Sequence, residues 1–320
     1  MKKKILDLLI SNNEYMSGEY ISNLLGVSRN SIWKHINALK KEGYLIDAIR
    51  NKGYKLIKSP DILDIKTINK LLETNFLGKN LLHYQETTST NLVAKKLIQE
   101  NCEDGTVIVA ETQTNGIGRF NRNWQSPLGG LWFSMILKPN ISPNDGNKIT
   151  LIAVASMIKV LNNLNINCKI KWPNDIYINN KKLCGILTTM NADMDKVNYI
   201  IVGLGLNINI DKKDFINDLN TATSLLLETG NEFNKSEILA YFLNTFEYYY
   251  NKFVDDDDLY EVIYICKNYS MLINKKATLI TLRKEETVTC LGIDDLGELI
   301  IKDSKGNIKK VLSGEITFNK

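Results

Sequence analysis

ETQTNGIGRFNRNWQSPLGGLWFS, residues 111–134, joins two short apolar stretches, residues 106–110 and Leu131–Leu137, that have the length and composition of strands. The span between them has little to bury and is predicted to be a long loop connecting two strands. Gly116 and Gly118 allow backbone conformations closed to other residues and let an anion approach the amides. Arg119 and Arg122 offer planar forks suited to phosphate or carboxylate oxygens. A disordered surface loop would have a similar composition, but a basic, glycine-bearing connection of this length points to a ligand.

Outward from this span, 320 residues exceed one ordinary domain and predict two or three. The 44% apolar and 24% charged content is that of a globular protein with no membrane partner. No apolar run reaches the length of a membrane span, and the start lacks a signal peptide's apolar block, so a cytoplasmic location is expected. Five scattered cysteines without a CxxC pair predict reduced thiols and no zinc site. The charge is unevenly placed. Residues 1–60 hold eleven Lys or Arg and five Asp or Glu, net +6, while the rest holds 29 basic and 31 acidic residues, net −2. A polyanion partner is therefore expected for the N-terminal module alone.

That module has three helical patterns: Ile5, Leu8 and Leu9; Ile21, Leu24 and Leu25 after a Ser17 cap; and Ile32, Ile36 and Leu39 after a Ser28 cap. Gly26 breaks the chain between the second and third, as in a helix-turn-helix. Residues 45–49 and 54–57 are expected as strands around the tip Arg50-Asn51-Lys52-Gly53, which completes a winged helix-turn-helix. The candidate DNA-binding residues are Ser28, Arg29, Asn30, Ser31, Trp33, Lys34 and Asn37 on the third helix, with Arg50 and Lys52 on the wing. One such module binds weakly, so a dimer on a two-fold site is expected.

From residue 61 strands and helices alternate. Helices are predicted at 65–72 and 147–161, and strands at 82–85 and 168–172. Thr87-Thr88-Ser89-Thr90-Asn91 caps a helix running to about Gln99, leaving amides and hydroxyls for a carboxylate or ureido group. In Lys171-Trp172-Pro173-Asn174-Asp175, Pro173 suits a strand end. Asn179-Asn180 is a two-residue hairpin turn, which pairs Tyr177 with Lys182 and Asp175 with Cys184. Period-two alternation then puts these four on one polar face, with Ile176, Ile178 and Leu183 on the core side. Lys182 there is placed to meet a carboxylate or phosphate; a plain cross-strand salt bridge with Asp175 is the simpler explanation. Gly203 and Gly205, inside the strand preceding Asn207, mark close approach by a ligand or another strand. A third glycine and a following helix are missing, so no dinucleotide fingerprint is present.

These segments together resemble the bifunctional biotin–protein ligases that also repress biotin genes, over essentially the whole chain. The resemblance rests on Ser89-Thr90-Asn91, the run from Gly116 through Arg119, Arg122 and Trp124 to Pro127, Lys171-Trp172-Pro173-Asn174-Asp175 with Lys182 and Gly185, and Gly203, Gly205 and Asn207. It implies an α+β architecture: a winged helix-turn-helix at 1–60, a central mixed α/β ligase domain of the biotin/lipoate type at 61–270, and an SH3-like β-barrel at 271–320. It implies adenylation of biotin by MgATP, transfer to one lysine of a biotin carboxyl carrier protein, and repression as an adenylate-bound homodimer on operator DNA. Arg119, Arg122, Lys182 and Asp175 would be catalytic. Ser89, Thr90, Asn91, Gln113, Gly116, Ile117, Gly118, Lys182, Gly185, Gly203 and Gly205 would hold biotin. Arg119, Arg122, Trp124, Asn174, Lys182 and Asn207 would hold the nucleotide, and no protein-held metal is implied. Ser313-Gly314-Glu315 lies where the family pattern closes. Two positions depart from the usual pattern: Ile117 replaces a basic residue, and Asn121 replaces a common glycine. Two alternatives are a lipoate–protein ligase and a biotin-sensing repressor without ligase activity. The winged helix and the Lys-Trp-Pro-Asn-Asp run weigh against the first, and retention of Arg119, Arg122, Asp175 and Lys182 weighs against the second.

Overall fold

Helices α1 (Lys2–Ser11), α2 (Gly18–Leu25) and α3 (Arg29–Lys41) form where spacing and caps predict them. The Ser17 hydroxyl accepts from the Tyr20 N–H at 3.0 Å, and Gly26 ends α2 at φ 65°. The Ser28 hydroxyl likewise accepts from the Ser31 N–H at the start of α3, at 3.2 Å. Ile5, Leu9, Ile21, Ile32, Ile36, Leu39 and Ile46 close into one buried cluster. Strands β1 (Leu45–Ile49) and β2 (Gly53–Lys58) pair antiparallel as the wing. The computed structural model describes residues 1–41, 43–59, 61–215, 221–281 and 284–318, which divide into two units, Met1–Ile62 and Leu63–Lys320.

The second unit begins with α4 (Ile65–Leu71), β3 (Leu81–Thr87), α5 (Thr90–Gln99), β4 (Val107–Ile117), β5 (Asn123–Ser126) and β6 (Leu131–Leu137). It continues through α6 (Gly146–Asn163), β7 (Lys169–Lys171), β8 (Asp175–Ile178), β9 (Lys181–Ala192) and β10 (Val197–Leu206). The sheet order is β3-β4-β6-β10-β9-β8-β7, with β5 on β4; β3 and β4 run parallel and the other pairs antiparallel. Every residue of β6 is buried, because helices cover both faces. On one face Ala94 of α5 packs with Ile108, Ile136 and Ile201. On the other lies α6, apolar on nearly every side because it also meets α8 (Lys235–Asp256) and α9 (Tyr260–Asn268). The short α7 (Leu225–Thr229) precedes α8. Phe133 of β6 meets Phe242 of α8 edge-on at 5.3 Å, a fully buried side chain of the kind that contributes roughly 1.5–3 kcal/mol.

Strands β11 (Lys275–Ile280), β12 (Glu285–Ile293), β13 (Leu299–Asp303), β14 (Ile308–Val311) and β15 (Glu315–Thr317) form a C-terminal antiparallel sheet in the order β14-β13-β12-β11-β15. Its Ala277, Leu279, Val288, Cys290 and Ile316 share the core cluster of the central sheet. Trp172 adds a polar tie, donating from Nε1 to the Gly297 carbonyl at 3.0 Å. Among the described residues no helix is long and apolar enough to cross a membrane.

Two expectations need correction. Residues 111–134 are not a long loop: β4 continues to Ile117, beside β3 as far as Gln113, and β5 folds back onto it, leaving a tight turn at 118–122. Thr112 and Gln113 pair with β3, and Gln113, Gly116 and Ile117 with β5, main-chain pairing that apolar side chains do not announce. The second concerns the hairpin register. Asn179 and Asn180 do form its turn, at φ 48° and 62°, and Tyr177 does pair with Lys182. A register shift between Ile176 and Tyr177 then pairs Asp175 with Gly185, not with Cys184. That single-residue slip turns Cys184 into the core beside Ile176 and leaves Gly185 on the Asp175 face.

Candidate functional site

A cavity of about 330 Å³ opens over β9 and β10, walled by the start of α5, the β4–β5 turn, the β7–β8 turn and the start of β15. Ser89, Thr90, Asn91, Gln113, Ile117, Gly118, Arg119, Arg122, Trp124, Asn174, Asp175, Lys182, Gly185, Gly203, Gly205 and Asn207 all line it. Of the expected residues in this unit, Gly116 alone is not on its wall; a methyl there would lie 2.4 Å from the Trp124 carbonyl, so Gly116 lets β5 close on β4.

At the α5 end the polar groups are fixed. Gln113 Oε1 accepts from the Thr90 N–H at 2.8 Å, and its Nε2 donates to the Ser126 hydroxyl at 2.7 Å. Ser134 lies 2.7 Å from the Thr90 hydroxyl and 3.0 Å from Asn91 Oδ1. The Ser89 hydroxyl makes no capping bond although the residue is 1% exposed, so it remains available at a helix N-terminus. Ser126 and Ser134 were absent from the sequence-based candidates. Ser134 had a signal, as the one polar residue in the otherwise apolar Leu-Trp-Phe-Ser-Met-Ile-Leu strand.

The floor is built of glycine. A methyl on Gly205 would sit 2.4 Å from Trp124 Nε1, and one on Gly185 2.8 Å from Trp124 Cζ3, so the indole rests directly on both strands. Gly203 instead gives room to the Asn91 amide. The close approach expected at Gly203 and Gly205 is made by the Asn91 and Trp124 side chains. Trp124 also meets Trp132 edge-on at 6.4 Å, and its buried Nε1 has no acceptor.

Charge gathers at the other end. Lys182 Nζ lies 2.8 Å from Asp175 Oδ1 and 5.1 Å over the Trp124 ring, both side chains largely shielded from solvent. Arg119 donates to Asn174 Oδ1 at 2.8 Å and to the Gly314 carbonyl at 3.0 Å; burial pulls its pKa down. Arg122 grips Glu315 with both nitrogens, at 2.6 and 2.8 Å. That hydrogen bond raises the arginine's pKa and holds the Glu315 carboxyl below the ordinary range. Between the arginines the exposed Phe120 lies 5.2 Å from Arg119 and 5.6 Å from Arg122. Phe120 and Asn121 sit at φ 55° and 56°, so asparagine at 121 satisfies the left-handed turn that glycine would otherwise provide. Asn174 and Asn207 also have structural partners, donating to the Ile186 and Thr223 carbonyls respectively, each at 2.8 Å.

In the winged unit Arg29, Asn30, Trp33, Lys34, Arg50 and Lys52 are exposed, with Ser31 and Asn37 half-buried. Ser28 is exposed and serves as the cap, and Arg29 lies 3.9 Å from Glu19.

A glycine-floored cavity with hydroxyls and amides at one end and clustered cations at the other, on this mixed sheet, defines the biotin/lipoate ligase class. Residues 81–207 match the Biotin/lipoate A/B protein ligase family, residues 2–55 an HTH domain, and residues 273–318 the Biotin protein ligase C terminal domain. The chain is 37% identical to the bifunctional ligase/repressor BirA of Bacillus subtilis, over 99% of this chain and 98% of that protein. It is 29% identical to the BirA of Escherichia coli, over 97% and 95% of the two. The biotin protein ligase of Aquifex aeolicus in complex with biotin and ATP superposes with TM-score 0.63 at 29% identity, covering 75% of this chain and 98% of that one. The chain belongs to the bifunctional ligase/repressor BirA family, the biotin protein ligases that carry a helix-turn-helix domain.

Proposed function

We propose that the cavity carries out both half-reactions of biotin–protein ligation. A biotin carboxylate oxygen attacks the α-phosphorus of MgATP and pyrophosphate leaves; the ε-amine of a carrier-protein lysine then attacks the acyl carbon of biotinyl-5′-AMP and AMP leaves. The cation cluster around Lys182 carries the reading, because the first step brings two anions together and needs positive charge aimed at the reacting oxygens. Lys182, Arg119 and Arg122 neutralise the carboxylate and phosphates. Asp175 orients Lys182 and receives the acceptor lysine's proton. Ser89, Thr90, Asn91 and Gln113 meet the biotin head. Ile117 and Gly118 close over it, and Gly185, Gly203 and Gly205 make room for the Trp124 and Asn91 side chains that bound it. Trp124, Asn174 and Asn207 serve the nucleotide side. Mg²⁺ enters as part of MgATP and needs no protein cage.

The partners are a biotin carboxyl carrier protein and operator DNA. The exposed face of α3 and the wing tip would meet DNA as an adenylate-bound homodimer, and the five free cysteines accord with a cytoplasmic setting. Incubation with biotin, MgATP and a carrier domain tests the ligase reading by the intact mass of the carrier. Biotinylated carrier is expected; unmodified carrier, or lipoylated carrier when lipoate is supplied instead, overturns it. A gel shift strengthened by biotin plus ATP is expected for the repressor role, and a shift indifferent to them would refute it.

A further inference from the structure

Among the described residues the charged side chains on the cavity wall are Arg119, Arg122, Lys171, Lys182, Asp175 and Glu315, four cations and two carboxylates. Three of the cations have their donors engaged. Arg122 is committed to Glu315, Lys182 to Asp175, and Arg119 to the neutral oxygens of Asn174 and Gly314. Lys171 differs. It ends β7, directly across from Asp175 in the β7–β8 pair, at the cavity edge. The side chain is half-buried, yet among the described residues its ammonium has no hydrogen-bond acceptor or salt-bridge partner; it lies 5.5 Å over the Tyr177 ring, with Asp175 and Glu315 acting on it only through space.

A partly desolvated ammonium without an acceptor within hydrogen-bond reach is unfavourable. Burial accordingly draws the Lys171 pKa down, against the opposing pull of Asp175 and Glu315. Such a group recovers hydrogen bonds when an anion with several oxygens enters beside it. In adenylation the bond between the α-phosphorus and its bridging oxygen breaks, and that oxygen leaves with the pyrophosphate carrying the new negative charge. Arg122 and Lys182 would have to leave carboxylates to receive that charge in full. Lys171 has nothing to leave.

We propose that Lys171 is the cation that binds the departing pyrophosphate and stabilises charge developing on its bridging oxygen. The role concerns the first half-reaction only, since no pyrophosphate is present when the carrier lysine attacks. It rests on the ligase reading above, and the two fail separately: if the unaltered chain makes no biotinyl-adenylate, the ligase reading falls.

The test compares Lys171→Met, which keeps the stem against Tyr177, and Lys171→Arg, which keeps the charge. With biotin and MgATP, Lys171→Met should form adenylate about ten- to a hundredfold more slowly. Inorganic pyrophosphate should inhibit it at least about tenfold more weakly. Transfer from supplied biotinyl-5′-AMP to a carrier domain should stay within about twofold, and Lys171→Arg should recover most of the first step. A thermal melt of each variant separates chemistry from folding. Equal losses in both half-reactions, or unchanged inhibition by pyrophosphate in Lys171→Met, would overturn the assignment. If Lys171→Met does not fold, Lys171→Arg decides: a fall in adenylation matched by an equal fall in transfer likewise overturns it.

Discussion

Glu111 lies within β4 and Arg119 just beyond its end, and the charges around them are arranged on opposite plans. Glu111 is 1% exposed and fully occupied: Oε1 accepts from the Leu63 N–H at 2.8 Å and meets His83 Nε2 at 2.7 Å, while Oε2 meets the equally buried Lys235 at 2.9 Å. Burial pushes its pKa up, but His83, Lys235 and the Leu63 amide outweigh it, leaving the carboxyl below its ordinary range. The cluster joins β3, β4, the start of α8 and the chain entering this unit. Around Arg119, by contrast, four cations face two carboxylates among the described residues, and none of those residues offers Lys171 an acceptor. Where every charge is matched, the cluster can only hold structure. Where cations are in excess, donors are left for an anion that the chain does not supply.

The contrast can be broken from its structural side first. Glu111→Leu leaves Lys235 buried without its carboxylate and should cost about 3–5 kcal/mol in urea unfolding. Glu111→Leu with Lys235→Met should recover much of that loss, because two apolar residues replace a costly pair. A single variant as stable as the parent would show that the buried pair holds nothing. From the other side, Lys182→Met should slow adenylate formation by about 10²–10³-fold. Its unfolding free energy should move by about 1 kcal/mol or less, since Asp175 keeps the Coulombic attraction of Arg119 and Lys171 when Lys182 is removed. If both variants lose stability alike, the distinction between the clusters fails.

A subtler test uses protons. Glu111 has a depressed folded-state pKa, so its contribution to stability is complete above the unfolded value near about pH 4.3 and fades as pH falls through the folded value. Urea midpoints should therefore decline on acidification below that point, and Glu111→Gln should flatten part of the decline. Equal slopes for parent and variant between about pH 5 and 3 would assign the acid sensitivity to other carboxylates.

Much of this arrangement was legible in the chain because it is local. Ser17, Ser28 and Gly26 write their helix ends within four residues, and Asn179-Asn180 writes its turn. Lys182 and Asp175, close in sequence, were readable as a pair. What stayed hidden depends on distant partners or on one-residue slips. Glu111 finds Lys235 across 124 residues, and Arg122 finds Glu315 across 193. No short pattern encodes either. The slip at Ile176–Tyr177 exchanged Cys184 for Gly185 on the site face, and alternation cannot foresee a bulge. The β4–β5 hairpin was missed because main-chain pairing accommodates Thr112 to Ile117 without burying an apolar face.

The winged unit offers the smallest effect and sharpens the same rule. Lys34 lies exposed on α3 beside exposed Arg29, Asn30 and Trp33. A solvated lysine of this kind contributes little to folding, so Lys34→Ala should leave unfolding within about 0.5 kcal/mol of the parent. Its contribution to DNA would come from one phosphate and the counterion that phosphate releases. The slope of log affinity against log salt should therefore fall by about 1, with binding weakened evenly across operator variants. Arg29, held partly by Glu19 at 3.9 Å, should lose specificity at one base position if it reads an edge, and only slope if it too meets a phosphate. An unchanged slope in Lys34→Ala would mean that the surplus charge on this face is solvated in the complex as it is in the free protein, and that excess cation alone does not mark a binding surface.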